Sequence, residues 1–305
     1  MDGIIALWKE RGMTSHDCVF KLRKILQTKK IGHGGTLDPD VDGVLPIAVG
    51  KGTKTIEYLQ THDKQYTGEI TLGYSTTTED ISGDVVDITP ILAPISEEEV
   101  DSVMASFIGT ITQVPPMYSA VRVNGKRLYE YAREGLSVER PQRQTTISCF
   151  ERITPLSYNE EKQTVSWRFN VTCSKGTYVR TLAVDTGKAL GVAAHMSDLT
   201  RLASGGLTAD KSYRLQDIQA MMEQNDSTFL LPIELAFEQF QRLDLTSERY
   251  EDVRNGRFLA VSEYPSISLD AVVACYYHER IVAIYQQHPT KPAWLKPVKV
   301  LRINE

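Results

Sequence analysis

VSWRFNVTCSKGTYVRTLAVDTGKALG, residues 165 to 191, changes its period halfway along. Val165, Trp167, Phe169, Val171 and Cys173 alternate with polar residues, which is the two-residue period of a strand with one buried face. Ser174-Lys175-Gly176-Thr177-Tyr178 breaks that pattern. The residues from there to Leu190 suit a helix, and Gly191 stops it. Working outward, Tyr66, Gly68, Ile70, Leu72 and Tyr74 alternate in the same way, predicting a second half-buried strand. Ser15 can cap a helix whose apolar positions Val19, Leu22 and Leu26 recur at helical spacing, and a shorter helix is expected over 53–59. Ser96-Glu97-Glu98-Glu99 predicts a capping box opening a helix through Phe107. Asn124-Gly125 predicts a hairpin turn, followed by a short helix ending at Gly135. Strands and helices mix without a regular βα alternation, so the expected fold class is α+β with a mixed or antiparallel sheet.

The chain has 305 residues, 41% of them hydrophobic and 24% charged, enough for one large domain and a small one. Its character changes near Pro232 to Gln241. Beyond lie a short helix (246–253), the turn Asn255-Gly256 and apolar segments at 271–277 and 281–285. The expected division is therefore a large domain over 1–235 and a compact, strand-rich module over 240–305. No apolar run approaches the roughly 18 residues of a membrane span, and MDGIIALWKERG lacks a signal-peptide plan, so a cytoplasmic protein is expected. Cys18, Cys149, Cys173 and Cys275 are widely separated, which suggests neither a disulfide framework nor a zinc site.

A net charge of −5 argues, taken alone, against a nucleic-acid partner, but its distribution argues for one. Gln65 to Val121 contains no Lys or Arg, and acidic residues gather between Glu79 and Asp101. Basic residues concentrate in KLRKILQTKK (21–30) and then at Arg122, Lys126, Arg127, Arg133, Arg140 and Arg143. The second group is interleaved with Tyr118, Tyr129 and Tyr131, a mixture that suits a polyanion carrying stackable bases.

GGTLDPDVDGVLP (34–46) sets Asp38, Asp40 and Asp42 at alternate positions before Gly43, as a calcium-binding EF-hand loop does. The twelfth place of such a loop needs a bidentate Glu, and here it is Val49. No metal site is therefore expected. Asp40 and Asp42 suit a solvated turn. Asp38 is different, because Gly34 and Gly35 allow close approach of a ligand while Leu37 and Val44-Leu45-Pro46 supply apolar walls.

Five motifs in order, GHGGTLDPDVDGVLP (32–46), LGYSTTTEDISG (72–83), PPMYSAVRVNGKRLYEYAREG (115–135), SKGTYVRTLAVDTG (174–187) and LTRLASG (199–205), resemble those of the TruB family, the bacterial tRNA pseudouridine-55 synthases. VRNGRFL (253–259), with the rest of the tail, looks like a PUA RNA-binding module. The resemblance implies a pseudouridine synthase catalytic domain that detaches one uridine of the tRNA T loop from its ribose, turns it over and reattaches it through C5. No cofactor is implied.

By the same resemblance Asp38 is the catalytic aspartate, acting either as nucleophile at C1′ or as the base that removes the 2′ proton. The target base must be flipped out to reach it. His33 would fill space near the vacated base, Tyr66 and Tyr178 would meet the flipped uracil, and Leu199 would close the apolar wall. Arg180 would pair with Asp38 and keep it ionised. Residues 114–152 correspond to an RNA-gripping insertion whose seven basic and four acidic residues leave a charge of +3. Arg122, Lys126, Arg127, Arg133 and Arg143 are its expected RNA contacts, joined by Lys9 from the first motif. That motif reads Trp8-Lys9-Glu10 where Asp-Lys-Pro is common. The expected partner is the T arm of tRNA, with no membrane and no obligate protein partner. Two alternatives stay open: a same-family synthase acting on another RNA, and a non-catalytic tRNA-binding or folding protein.

Overall fold

A computed structural model describes residues 1–268 and 270–301. Its centre is a sheet whose main path runs Gly3–Lys9, Asp42–Val49, Ala194–Ser204, Lys64–Leu72, Thr164–Cys173, Arg143–Arg152 and Gly109–Gln113. Pairing along it is antiparallel except between Asp42–Val49 and Ala194–Ser204, so the sheet is mixed and the fold class is α+β. Helices Ser15–Ile25, Glu97–Ser106, Val179–Ala189 and Leu215–Glu223 contribute Leu22, Met104, Leu182 and Ile218 to one core with Ile70, Leu72, Trp167 and Phe169 of the strands.

The strands reach this core in two ways. Lys64–Leu72 and Thr164–Cys173 alternate, as their sequences predict, with Ile70, Leu72, Phe169 and Val171 buried and their odd or even partners more open. Gly3–Lys9 and Asp42–Val49 instead are buried on both faces. Ile5, Leu7, Leu45 and Ile47 join the helix-covered core. Ile4, Ala6 and Val44 face the opposite way, into a second cluster with Phe237, Ala274, Tyr276 and Ile284.

That second cluster attaches the C-terminal part. Residues 241–300 form a five-stranded sheet in the order Gln241–Asp244, Val273–Tyr277, Arg280–Gln287, Trp294–Val300 and Leu259–Ala260, with the helix Ser247–Arg254 against it. The segment Ile233–Phe237 that bridges the two sheets is a 3-10 turn whose Ile233, Ala236 and Phe237 are buried. Burying a large apolar side chain such as Ile233 or Phe237 contributes roughly 1.5–3 kcal/mol, so this cluster holds the C-terminal sheet against the central one.

Local signals differ from expectation in three places. Thr14, not Ser15, caps the first helix: its hydroxyl accepts from Asp17 N (3.1 Å) while Asp17 accepts from Thr14 N (2.9 Å). The expected 53–59 helix is a 3-10 segment, Gly50–Thr55, running into one α-turn, Ile56–Leu59. Residues 143–152 of the expected 114–152 insertion are Arg143–Arg152, hydrogen-bonded on both sides into the central sheet. Only 114–142 stands outside it, as the hairpin Arg122–Val123/Lys126–Arg127 turned by Asn124 (φ 52°) and Gly125 (φ 83°), followed by Leu128–Arg133.

Candidate active site

Asp38 lies on the loop between Ile31–His33 and Asp42–Val49, and three side chains pin that loop. Ser15 Oγ accepts from Leu37 N (2.9 Å) and donates to Leu37 O (3.3 Å). Arg201 donates to Gly35 O (3.2 Å), Thr36 O (3.3 Å) and Val44 O (2.8 Å). Lys9 Nζ donates to Pro39 O (3.0 Å), Glu10 O (3.0 Å) and Met13 O (2.7 Å). Gly43 completes the arrangement at φ 117°, because a Cβ there would stand 2.2 Å from Arg201 O. The loop is thus fixed by backbone carbonyl contacts.

Lys9 corrects an expectation. It is fully buried, and all three of its N–H donors end on carbonyls, so it offers nothing to RNA. Lys9→Met should cost about 2–4 kcal/mol of stability, since it strands buried acceptors. A thermal melt checks this, and an undiminished Tm would show that those carbonyls find other donors.

The three aspartates diverge. Asp42 accepts from Thr200 Oγ1 (2.6 Å) and Arg11 (3.3 Å), Asp40 is exposed, and Asp38 meets Arg180 Nη2 at 3.1 Å. Among the described residues no group of three or more His, Cys, Asp or Glu converges as a metal site. Arg180, on the first turn of Val179–Ala189, is almost wholly buried and also donates to Thr78 O (2.8 Å) and Tyr118 O (3.0 Å), with Asp80 at 3.7 Å. Asp38 keeps about 45% of its side-chain surface open. Recession into the cleft pushes its carboxyl above the usual carboxylate range, and the Arg180 guanidinium pulls it back.

Around this pair opens a cleft of about 800 Å³ that brings together His33, Asp38, Tyr66, Tyr178, Arg180 and Leu199. Tyr66 is half-buried on Lys64–Leu72, and Leu199 is buried beside it on Ala194–Ser204. Burial raises the Tyr66 phenol, while Arg201 opposes the shift. His33 is driven below its ordinary value by burial first, and its Nδ1 is buried without a partner. The Gln113 side chain holds Tyr178 through both backbone groups (3.0 and 3.2 Å), and the Arg143 guanidinium stacks 4.4 Å over its ring.

Of the remaining expected RNA contacts, Arg122 and Arg127 line the cleft. Lys126 is paired with Glu134, and Arg133 lies 5.3 Å from the Tyr129 ring. Arg152 is held by Asp101 (2.9 Å) and Glu97 (3.0 Å), so it adds little to the free positive charge of this region. Arg201, Asp80 and Gln113 were not singled out by the sequence. Arg201 sits two residues after Leu199 on one strand and hence on the same face, a spacing that could have pointed to it.

Comparison with known proteins accords with this geometry. Residues 23–179 match the model for the TruB family pseudouridylate synthase N-terminal domain, and 180–238 match the tRNA pseudouridylate synthase B C-terminal domain. A protein of Streptococcus gordonii called tRNA pseudouridine synthase B is 55% identical over 300 residues, covering 98% of this chain and 99% of that protein. One of the same name from Streptococcus pyogenes serotype M1 is 53% identical over 301 residues, covering 99% of each. Among solved structures, an H/ACA RNP bound to a substrate RNA containing 2′-deoxyuridine superposes with a TM-score of 0.72 at 26% identity, covering 98% of this chain and 84% of that one. The chain belongs to the TruB family of pseudouridine synthases.

Proposed function

We propose that this protein isomerises uridine 55 in the T loop of tRNA to pseudouridine, with Asp38 as the catalytic carboxylate. The observation that carries the proposal is the Asp38–Arg180 pair, open to a cleft that also holds Tyr66. As a family member the protein is an isomerase acting on tRNA. A base stacked inside folded RNA cannot reach a recessed carboxylate, so the uridine is flipped into the cleft. Tyr66 and Leu199 then supply the apolar faces against which uracil packs, and His33 fills the space beside it. Ionised Asp38 either attacks C1′ or removes the 2′ proton, and Arg180 serves both routes by orienting the carboxylate and favouring its charged form.

The hairpin at 122–127 and the helix after it supply cations for the phosphates of the T arm. We assign the C-terminal domain a PUA-like role in RNA affinity, and cytoplasmic tRNA as the substrate pool. Replacing Arg122, Lys126 and Arg127 together should flatten the dependence of log binding constant on log salt by up to about three units, at roughly 0.7–0.9 per lost phosphate contact. Filter binding over a salt series measures it, and an unchanged slope would show that these side chains face away from RNA. The function itself is tested by tritium release from C5-labelled uridine in a T-arm RNA. Release approaching one equivalent per target is expected. Binding without release would leave only an RNA-binding protein.

A further inference from the structure

Two more cations line the cleft, and the reading above gives them no part in the chemistry. Lys64 is 7% exposed and Arg201 is 2% exposed, and neither forms an ion pair with a carboxylate among the described residues. Lys64 donates to the carbonyls of Gln60 (2.6 Å) and His62 (2.5 Å), Arg201 to those of Gly35, Thr36 and Val44. Carbonyl dipoles solvate a cation without cancelling its charge. Both therefore project positive potential into a low-dielectric wall.

Their placement follows from sheet register. Lys64 and Tyr66 are alternate residues of one strand, and Arg201 stands directly opposite Tyr66 on the neighbouring strand. Opposed residues of an antiparallel pair point to the same face, so Lys64, Tyr66 and Arg201 share the face that bounds the cleft. Asp38 and Arg180 enter the cleft from the loop and helix.

The reaction generates charge on two sides. When the C1′–N1 bond breaks, its electron pair leaves with N1 and the uracil becomes a monoanion delocalised over N1, O2 and O4. The deficit at C1′ is met by the Asp38 carboxylate forming a C–O bond, or by the C2′–H pair once Asp38 has taken the 2′ proton. Arg180 serves the sugar side alone. When C5 then bonds to C1′ the ring becomes neutral, Asp38 leaves C1′ as the carboxylate or, on the second route, returns the proton to C2′, the C5 proton departs to solvent and N1 takes one up. We propose that Lys64 and Arg201 hold the detached uracil as its monoanion while it turns, lowering the barrier to glycosidic cleavage. This rests on the cleft being the synthase site and assigns preorganised electrostatic stabilisation to residues placed for it.

Lys64 makes the idea testable by pH. Burial first, then Arg201 of the neighbouring strand and Lys175 of the adjoining turn, lower its pKa to about 8, with the Cys173 thiol and Asp63 opposing. Its charge is present below that value and lost above it. Single-turnover conversion of a T-arm RNA at saturating enzyme should therefore slow as pH rises through about 8. Lys64→Arg should abolish that alkaline fall, and Lys64→Met should be slow throughout and lack it. A 5-fluorouridine target, whose uracil anion is intrinsically more stable, should reduce the penalty of Lys64→Met on uridine consumption by about tenfold. An alkaline fall retained by Lys64→Arg, or equal penalties on both targets, overturns the proposal and leaves Lys64 structural. Should Lys64→Met fail to fold, the wild-type and Lys64→Arg profiles decide alone. No conversion by the wild-type protein at any pH would instead be a failure of the site reading, and would take this inference with it.

Discussion

Asp38→Asn should reduce single-turnover isomerisation to background while tRNA affinity stays within about tenfold of wild type, a change of roughly 1.4 kcal/mol. The amide keeps the size of the side chain and can still accept from Arg180 Nη2, so the loop, pinned by Lys9, Ser15 and Arg201 through other atoms, has no reason to move. What disappears is the negative charge that either bonds to C1′ or accepts the 2′ proton. The neighbouring carboxylates give the contrast. Asp40→Asn should retain most activity because Asp40 is exposed and outside the cleft lining. Asp42→Asn should act through stability, by weakening the contacts to Thr200 and Arg11. Near wild-type product formation by Asp38→Asn would falsify the assignment.

Arg180→Met carries the second large effect, a loss of about 10³-fold in single-turnover rate at neutral pH. Removing one preorganised donor to a charged reacting group costs about 2.7–4 kcal/mol of barrier, and each 1.36 kcal/mol is tenfold in rate. The sign of the pH effect follows from the causes acting on Asp38. Recession raises its pKa and Arg180 opposes the rise, so without the guanidinium the pKa climbs further. The active form is the ionised one, present above the pKa and lost as pH falls through it. The acid limb of the rate profile should therefore move to higher pH in Arg180→Met, and part of the activity should return as pH is raised. Rate against pH for both proteins measures this. An acid limb at the same pH in each would mean that Arg180 acts on the loops through Thr78 and Tyr118 rather than on Asp38.

The residues that sequence made visible are those whose environment imposes a period. Trp167, Phe169 and Val171 alternate because one face of their strand is covered by helices and the other is more open. GIIALWK and DGVLPIAV carry no such alternation, since the helix-side core takes Ile5 and Leu45 and the second cluster, shared with the C-terminal sheet, takes Ile4 and Val44. Neither therefore reads as a strand from its sequence, and the burial of Lys9 at the end of the first is hidden with it. Six residues gathered by motif resemblance, from His33 to Leu199, do line one cleft. The cations that pin or polarise it, Arg201 and Lys64, stayed hidden because a buried unpaired cation looks like any surface Lys or Arg in a sequence. Only register places Arg201 opposite Tyr66.

The central claim is the conversion of one particular uridine by Asp38, and the position of the product tests it most directly. A full-length, unmodified tRNA transcript is incubated with the protein, treated with a carbodiimide that marks pseudouridine, and read by primer extension. The account predicts one new stop, at uridine 55, reaching about the level of complete conversion with wild-type protein and absent with Asp38→Asn. Stops at other uridines with none at 55, or a stop at 55 that survives in Asp38→Asn, would contradict it.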